Sequence, residues 1–143
     1  MPSEVAVQTV ADALNAVEQR DRERLMNLYH PEIEFRWPPA LPYGGTFRGR
    51  EVIEMSRRFA AIWDPLQRTE EDRRLDPKVI ATGEDGRVVV NYRWKGRDGV
   101  GRRFETETLA DYQVRDGRLT RAQMFHFDLS GMLTFLANAG VTR

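Results

Sequence analysis

Apolar residues recur along this chain with two different periods. Up to Trp63 the spacing is mostly three or four. Val10, Ala13, Leu14 and Val17 form one stripe, and Val52, Met55, Phe59 and Trp63 form another. Such spacing places side chains on one face of an α-helix. Ser3 is positioned to cap the first helix, and Asp21 a short second one with Leu25, Met26 and Tyr29 on its buried side. His30-Pro31 stops the second helix, because a residue before proline avoids the helical region. Ile33-Glu34-Phe35-Arg36-Trp37 alternates as a strand does, and Pro38 to Gly45 reads as a loop. The third helix ends at Asp64-Pro65, and Gln67 to Arg74 reads as a charged, solvated connection.

From Lys78 the period becomes two. Asp85-Gly86, Asp98-Gly99 and Asp116-Gly117 punctuate alternating or apolar runs, and Asp-Gly supplies the positive φ that tight hairpins require. Four consecutive antiparallel strands follow: Lys78 to Thr82, Val88 to Lys95, Arg103 to Val114 and Leu119 to Asp128. Leu129, Met132, Leu133 and Leu136 then predict a terminal helix stopped by Gly140. Helices grouped ahead of one antiparallel sheet indicate an α+β fold, in one domain over residues 1–143.

Alternation also assigns faces. Val88, Val90, Tyr92 and Trp94 share the buried side of their strand. On the next strand Phe104, Thr106, Thr108, Ala110, Tyr112 and Val114 oppose Glu105, Glu107, Leu109, Asp111 and Gln113. On the last, Met124, His126 and Asp128 share a face opposite Phe125 and Phe127.

Composition narrows the functional classes. Lys plus Arg balances Asp plus Glu at 22 each, which leaves no electrostatic footprint for nucleic acid or an anionic membrane. The absence of cysteine removes thiol chemistry, and two distant histidines, His30 and His126, argue against a metal site. With no apolar run of membrane-spanning length and no targeting pattern at the start, a soluble cytoplasmic protein is expected.

The element order, the run Leu41-Pro-Tyr-Gly-Gly-Thr-Phe-Arg-Gly-Arg-Glu51 and the segment Arg115-Asp-Gly-Arg-Leu119 followed by Phe125-His-Phe-Asp128 resemble the SnoaL-like family. That family belongs to the superfamily of nuclear transport factor 2, ketosteroid isomerase and limonene epoxide hydrolase. The resemblance implies a cone-shaped roll: a curved, mostly antiparallel sheet wrapped against three to four helices around a pocket. It also implies a homodimer through the sheet face and a small hydrophobic ligand.

The resemblance distributes catalytic positions unevenly. Where ketosteroid isomerase carries its carboxylate base this chain has Trp37, and near its helical tyrosine stands Ala13; its proton-donating Asp falls on Asp111. Limonene epoxide hydrolase is matched by Asp128 but not by its Arg-x-Asp pair, for which Val88 to Trp94 offers no counterpart. SnoaL-type cyclases need an acid/base Asp near the final strand and a mostly apolar cavity, a role open to Asp128.

The leading expectation is therefore a cofactor-free acid/base enzyme, cyclase or isomerase, acting on a hydrophobic oxygenated ring compound. Asp128 is its acid/base group, His126, about 6.5–7 Å along the same strand face, assists, and Asp111 is a further donor. Trp37, Tyr43, Phe59, Trp63 and Tyr92 are the candidate pocket wall. Each has a plainer reading: Asp128 as the cap of the terminal helix, His126 as a hydrogen-bonded core residue, Asp111 as a surface charge, the aromatics as core. The alternatives at the level of function are a non-catalytic small-molecule binding protein, or an epoxide hydrolase or dehydratase variant.

Overall fold

A computed structural model describes residues 2–141. In chain order the elements are helix α1 (Pro2–Gln19), α2 (Arg22–Asn27), strands β1 (Tyr29–Trp37) and β2 (Gly45–Arg48), and α3 (Glu51–Trp63). A 3-10 turn (Asp64–Leu66), α4 (Glu70–Arg73), β3 (Lys78–Thr82), β4 (Arg87–Arg97), β5 (Arg103–Arg115), β6 (Arg118–His126) and α5 (Leu129–Asn138) complete it. The six strands form one sheet in the order β2-β1-β6-β5-β4-β3. Every neighbouring pair is antiparallel except β1 with β6. The fold is α+β, with a curved open sheet packed on its helices.

The alternation in the two longest strands is realised on the inner face, with Phe104 half-buried, while Lys95 and Asp111 on the outer face are buried as well. Val88, Val90, Tyr92 and Trp94 of β4 are buried, as are Thr106, Thr108, Ala110, Tyr112 and Val114 of β5. The register sets Tyr92 opposite Thr108 and Val90 opposite Ala110. Asp116 and Gly117 both have positive φ, 55° and 72°, as a two-residue hairpin of the primed type requires. The Asp98 turn is longer. Its carboxylate Oδ1 accepts from the backbone N–H of Val100 at 3.0 Å and of Arg102 at 2.8 Å, and the positive φ falls on Gly101 instead of Gly99.

Several expectations are corrected. Ser3 lies inside α1, behind Pro2, which fits the first turn because it has no N–H to leave unpaired. Asp21 does cap α2, accepting from Arg24 N–H at 3.2 Å, but Tyr29 leaves that helix and opens β1. His30-Pro31 thus sits within a strand. The register of β1 against β6 shifts between Tyr29 and Glu34, a bulge that accommodates a residue lacking a ladder donor. Residues 45–48 form an edge strand where a loop continuation was expected. The segment 67–74 is not simply solvated, since Leu66, Gln67, Asp72 and Leu75 are buried and Gln67 Nε2 donates to the Lys95 carbonyl at 2.8 Å.

Beyond the end of β4's inner row, Gly96 lies under two rings. A Cβ there would approach Phe135 Cε2 and Trp63 Cζ3 to 2.9 Å each. Both rings are buried and cannot swing aside, so Gly96→Ala is expected to lower stability by about 1–3 kcal/mol in urea unfolding. A neutral result would mean that α5 shifts freely over the sheet.

A tyrosine-lined cavity as the candidate functional site

The inner face of the sheet does not meet the helices everywhere. A cavity of about 370 Å³ lies between it and α1, α2 and α3, within the size range of small-molecule sites, roughly 300–1,000 Å³. Aromatic rings brace it open. Trp37 stacks on Phe35 at 5.2 Å and on Phe59 at 5.1 Å, Phe59 leans on Trp94 at 5.4 Å, and Trp94 meets Trp63 edge-on at 5.3 Å. This arc runs from β1 across α3 to β4. Rings of that size cannot all collapse into one another, so α3 stands off the sheet.

The buried polar groups around the cavity are mostly neutral hydrogen-bonding groups. Tyr29, Tyr92 and Tyr112 line it, and none of their hydroxyls has a hydrogen-bond partner among the described residues. Burial pushes the pKa of all three well above the ordinary tyrosine range. The charges that neighbouring phenols would carry raise two of them further, Tyr43 and then Tyr29 acting on Tyr92, and Tyr92 and then Tyr29 on Tyr112. They therefore stay protonated at neutral pH and donate or accept hydrogen bonds without carrying charge.

The charged side chains in the wall, Arg20, Arg22, Glu23, Arg57 and Asp64, are all at least partly exposed and come from the end of α1, from α2, from α3 and from the 3-10 turn after it. Arg22 donates to both carboxylate oxygens of Asp64, at 2.7 and 2.5 Å, while Arg20 donates to the backbone carbonyl of Asp64 at 2.9 Å and to that of Gln67. These contacts hold α2 against the end of α3. Leu25 and Met26 of α2 face the cavity, yet α2 has no buried residue. Among the described residues no group of three His, Asp or Glu could hold a metal ion, and no helix is long and apolar enough to cross a membrane.

The sequence of residues 10–122 matches the SnoaL-like domain model. The chain belongs to the SnoaL-like family. Similar solved structures include Bal32a from a soil-derived mobile gene cassette, at TM-score 0.76 and 19% identity over 95% of this chain and 99% of that one. TerC, co-crystallised with polyporic acid, aligns at TM-score 0.76 and 20% identity over 93% and 98%. IdmH, a putative polyketide cyclase from Streptomyces antibioticus, aligns at TM-score 0.71 and 20% identity over 92% and 98%. No curated protein matches the sequence. At these identities the structural likeness shows the nuclear transport factor 2-like fold.

Within this SnoaL-like fold the three residues expected to be catalytic are dispersed. Strand β6 stops at His126, so Asp128 shares no strand face with it. Asp128 is exposed, lies outside the cavity wall and caps α5, its Oδ1 accepting from Gly131 N–H at 2.9 Å. Asp111 lies on the outer face of the sheet. It is covered by Arg87, whose Nε donates at 2.9 Å and Nη2 at 2.6 Å, and by Arg121 at 3.7 Å. Trp37, Phe59, Trp63 and Tyr92 do line the cavity, whereas Tyr43 stands behind it and accepts from Trp63 Nε1 at 3.0 Å. Tyr112 was legible as an inner-face residue, but nothing in the alternation marked its hydroxyl as unpaired. Tyr29 was hidden by its assignment to α2.

His126 is set into the inner face beside the cavity wall rather than in it. Its Nδ1 lies 2.8 Å from Thr108 Oγ1 and its ring stacks on Trp37 at 6.2 Å. Burial lowers its pKa to about 4. The folded state thus holds it neutral, while the unfolded chain takes up a proton near pH 6.5. Its contribution is complete above pH 6.5 and is lost as pH falls towards 4, amounting to about 3 kcal/mol. Between pH 7 and pH 4 the wild type is expected to lose about 2–3 kcal/mol more than His126→Asn in denaturant unfolding. Parallel pH profiles would show that the imidazole is solvated.

Proposed function

We propose that this protein binds a hydrophobic, oxygen-bearing ring compound in the cavity between the sheet and helices α1 to α3. The observation that carries the reading is the trio of phenol hydroxyls, Tyr29, Tyr92 and Tyr112, facing an otherwise apolar cavity without protein partners. An apolar lining contributes affinity through burial, and a few convergent hydroxyls fix the orientation of the ligand oxygens. An acid/base step through Asp128 finds no support in this geometry, because its carboxylate is engaged in capping α5. A cyclase- or isomerase-type reaction here would instead rest on confinement and on hydrogen bonds to the substrate oxygens. That second reading is favoured by three neutral phenols lining one cavity.

All three tryptophans of the chain line the cavity, so occupancy reports through their fluorescence. Titration with polyporic acid, the compound co-crystallised with TerC, or with a hydroxynaphthoquinone is expected to quench it saturably. Tyr92→Phe and Tyr112→Phe should each weaken binding about 2- to 10-fold, the worth of one neutral hydrogen bond. Asp128→Asn should leave affinity unchanged. Absence of saturable quenching by any oxygenated ring probe at millimolar concentration would defeat the binding reading.

The outer sheet face supports a second proposal, a homodimer. Leu109 and Phe125 are directly paired across β5 and β6, 40% and 52% exposed, and Phe127 beyond them is 87% exposed. Ion pairs of Arg93 with Glu105 and of Arg87 and Arg121 with Asp111 flank this apolar strip. Two copies meeting face to face would bury it. Light scattering is expected to give twice the chain mass for the wild type and the single-chain mass for Phe125→Glu. A monomeric wild type at micromolar concentration would remove this proposal.

A further inference from the structure

A second, smaller pocket of about 170 Å³ lies between α4 and the ends of β4 and β5 nearest their hairpin. Asp72, Lys95, Gly96, Arg103, Phe104 and Glu105 line it, and none of the six lines the tyrosine-walled cavity. Lys95 is the unusual member. Its side chain is 9% exposed, and lysine is seldom so buried unless it is paired. Nζ donates to the Glu71 carbonyl at 3.0 Å and lies 3.6 Å from Glu71 Oε1, while Arg74 takes the other oxygen of that carboxylate at 2.7 Å. An ammonium group has three N–H donors, so two of them have no hydrogen-bond acceptor among the described residues.

Strand register adds a second cation. Lys95 stands opposite Glu105, but Arg97 stands opposite Arg103, and like charges directly across a strand pair destabilise it. Arg97 is offset by Asp72, with Nη2 3.5 Å from Oδ1, whereas Arg103 has neither an acceptor nor an ion pair among the described residues. Both carboxylates of the pocket are already matched. Asp72 has Arg97, and Glu105 accepts from Arg93 Nε at 2.7 Å. The charge left over at this pocket is therefore positive.

We propose that this pocket is a second binding site, in which Lys95 and Arg103 hold a small oxyanion, a phosphate or a carboxylate group. The site is separate from the cavity and stands whether or not the cavity binds a ring compound. Charge-assisted hydrogen bonds from an ammonium and a guanidinium group are the strong ones for such oxygens. Lys95 is already held by α4, so little side-chain ordering is lost when it takes a guest. A bound anion also offsets the repulsion between Arg97 and Arg103. A cation or a zwitterion meets the opposite situation, because neither carboxylate is free to receive an ammonium group.

The test follows the assigned backbone amides of the wild-type chain in proton–nitrogen correlation spectra while sodium phosphate replaces sodium chloride at constant ionic strength. Saturable shifts are expected at residues 95–97 and 103–105 at millimolar phosphate. Sodium acetate and methylammonium chloride are titrated in the same way. Saturation by acetate as well as phosphate assigns oxyanions in general, and saturation by phosphate alone assigns phosphoryl groups. Arg103→Gln should weaken phosphate binding about 5- to 20-fold, whereas Arg118→Gln, which removes the same charge from the β5–β6 hairpin, should change it less than about 2-fold. Both arginines are exposed, so neither variant disturbs the core. Shifts that stay linear in phosphate, equal losses in the two variants, or saturation by methylammonium instead of the anions would overturn the site.

Discussion

The open interior depends on the hydrogen bond from Trp63 Nε1–H to Tyr43 Oη. Tyr43 comes from the Pro38–Gly44 loop, which is folded by two successive turns, Leu41 N–H to Pro38 and Gly44 N–H to Leu41. Trp63 is the last residue of α3. Their bond therefore pins the loop after β1 to the far end of the helix. It satisfies the indole N–H and gives the buried phenol a partner in one contact. With both ends fixed, Phe59 is held between Trp37 and Trp94, and the arc of rings acts as a strut between helix and sheet.

A strut of neutral rings also sets the chemistry of what it encloses. Burial moves Tyr29, Tyr92 and Tyr112 up and His126 down, each towards its uncharged form. Charged carboxylates and guanidinium groups are left to the rim and to the outer face. The interior resembles an apolar solvent furnished with a few oriented hydrogen-bonding groups. In such a medium a hydrogen bond to a ligand oxygen counts for more than it would in water.

The hairpins and their two faces were legible because Asp-Gly pairs and strict alternation are local signals with one physical meaning. Strand β2 was not, since four residues between glycines carry too little period to register and their pairing with β1 is decided by tertiary contact. Tyr29 fitted the apolar spacing of α2 as well as the start of β1, and only the bulge over Pro31 resolves it. The candidate site shows the same division. Aromatic residues could be assigned to inner faces from period alone, but whether a hydroxyl or an indole N–H finds a partner depends on residues distant in sequence. Asp128 turned on where β6 ends. A strand running two residues further would have aimed it inward, whereas the chain turns after His126 and spends that carboxylate on Gly131 N–H.

Helix α2 closes one side of the mouth while contributing no buried residue, and its ties to α3 are the partly exposed contacts of Arg20 and Arg22 with Asp64. Exposed ion pairs contribute about 0–1 kcal/mol each and weaken as salt rises. The aromatic strut gains nothing from such pairs. Ionic strength therefore acts on the contact between α2 and the end of α3 and not on the packing of the rings behind it.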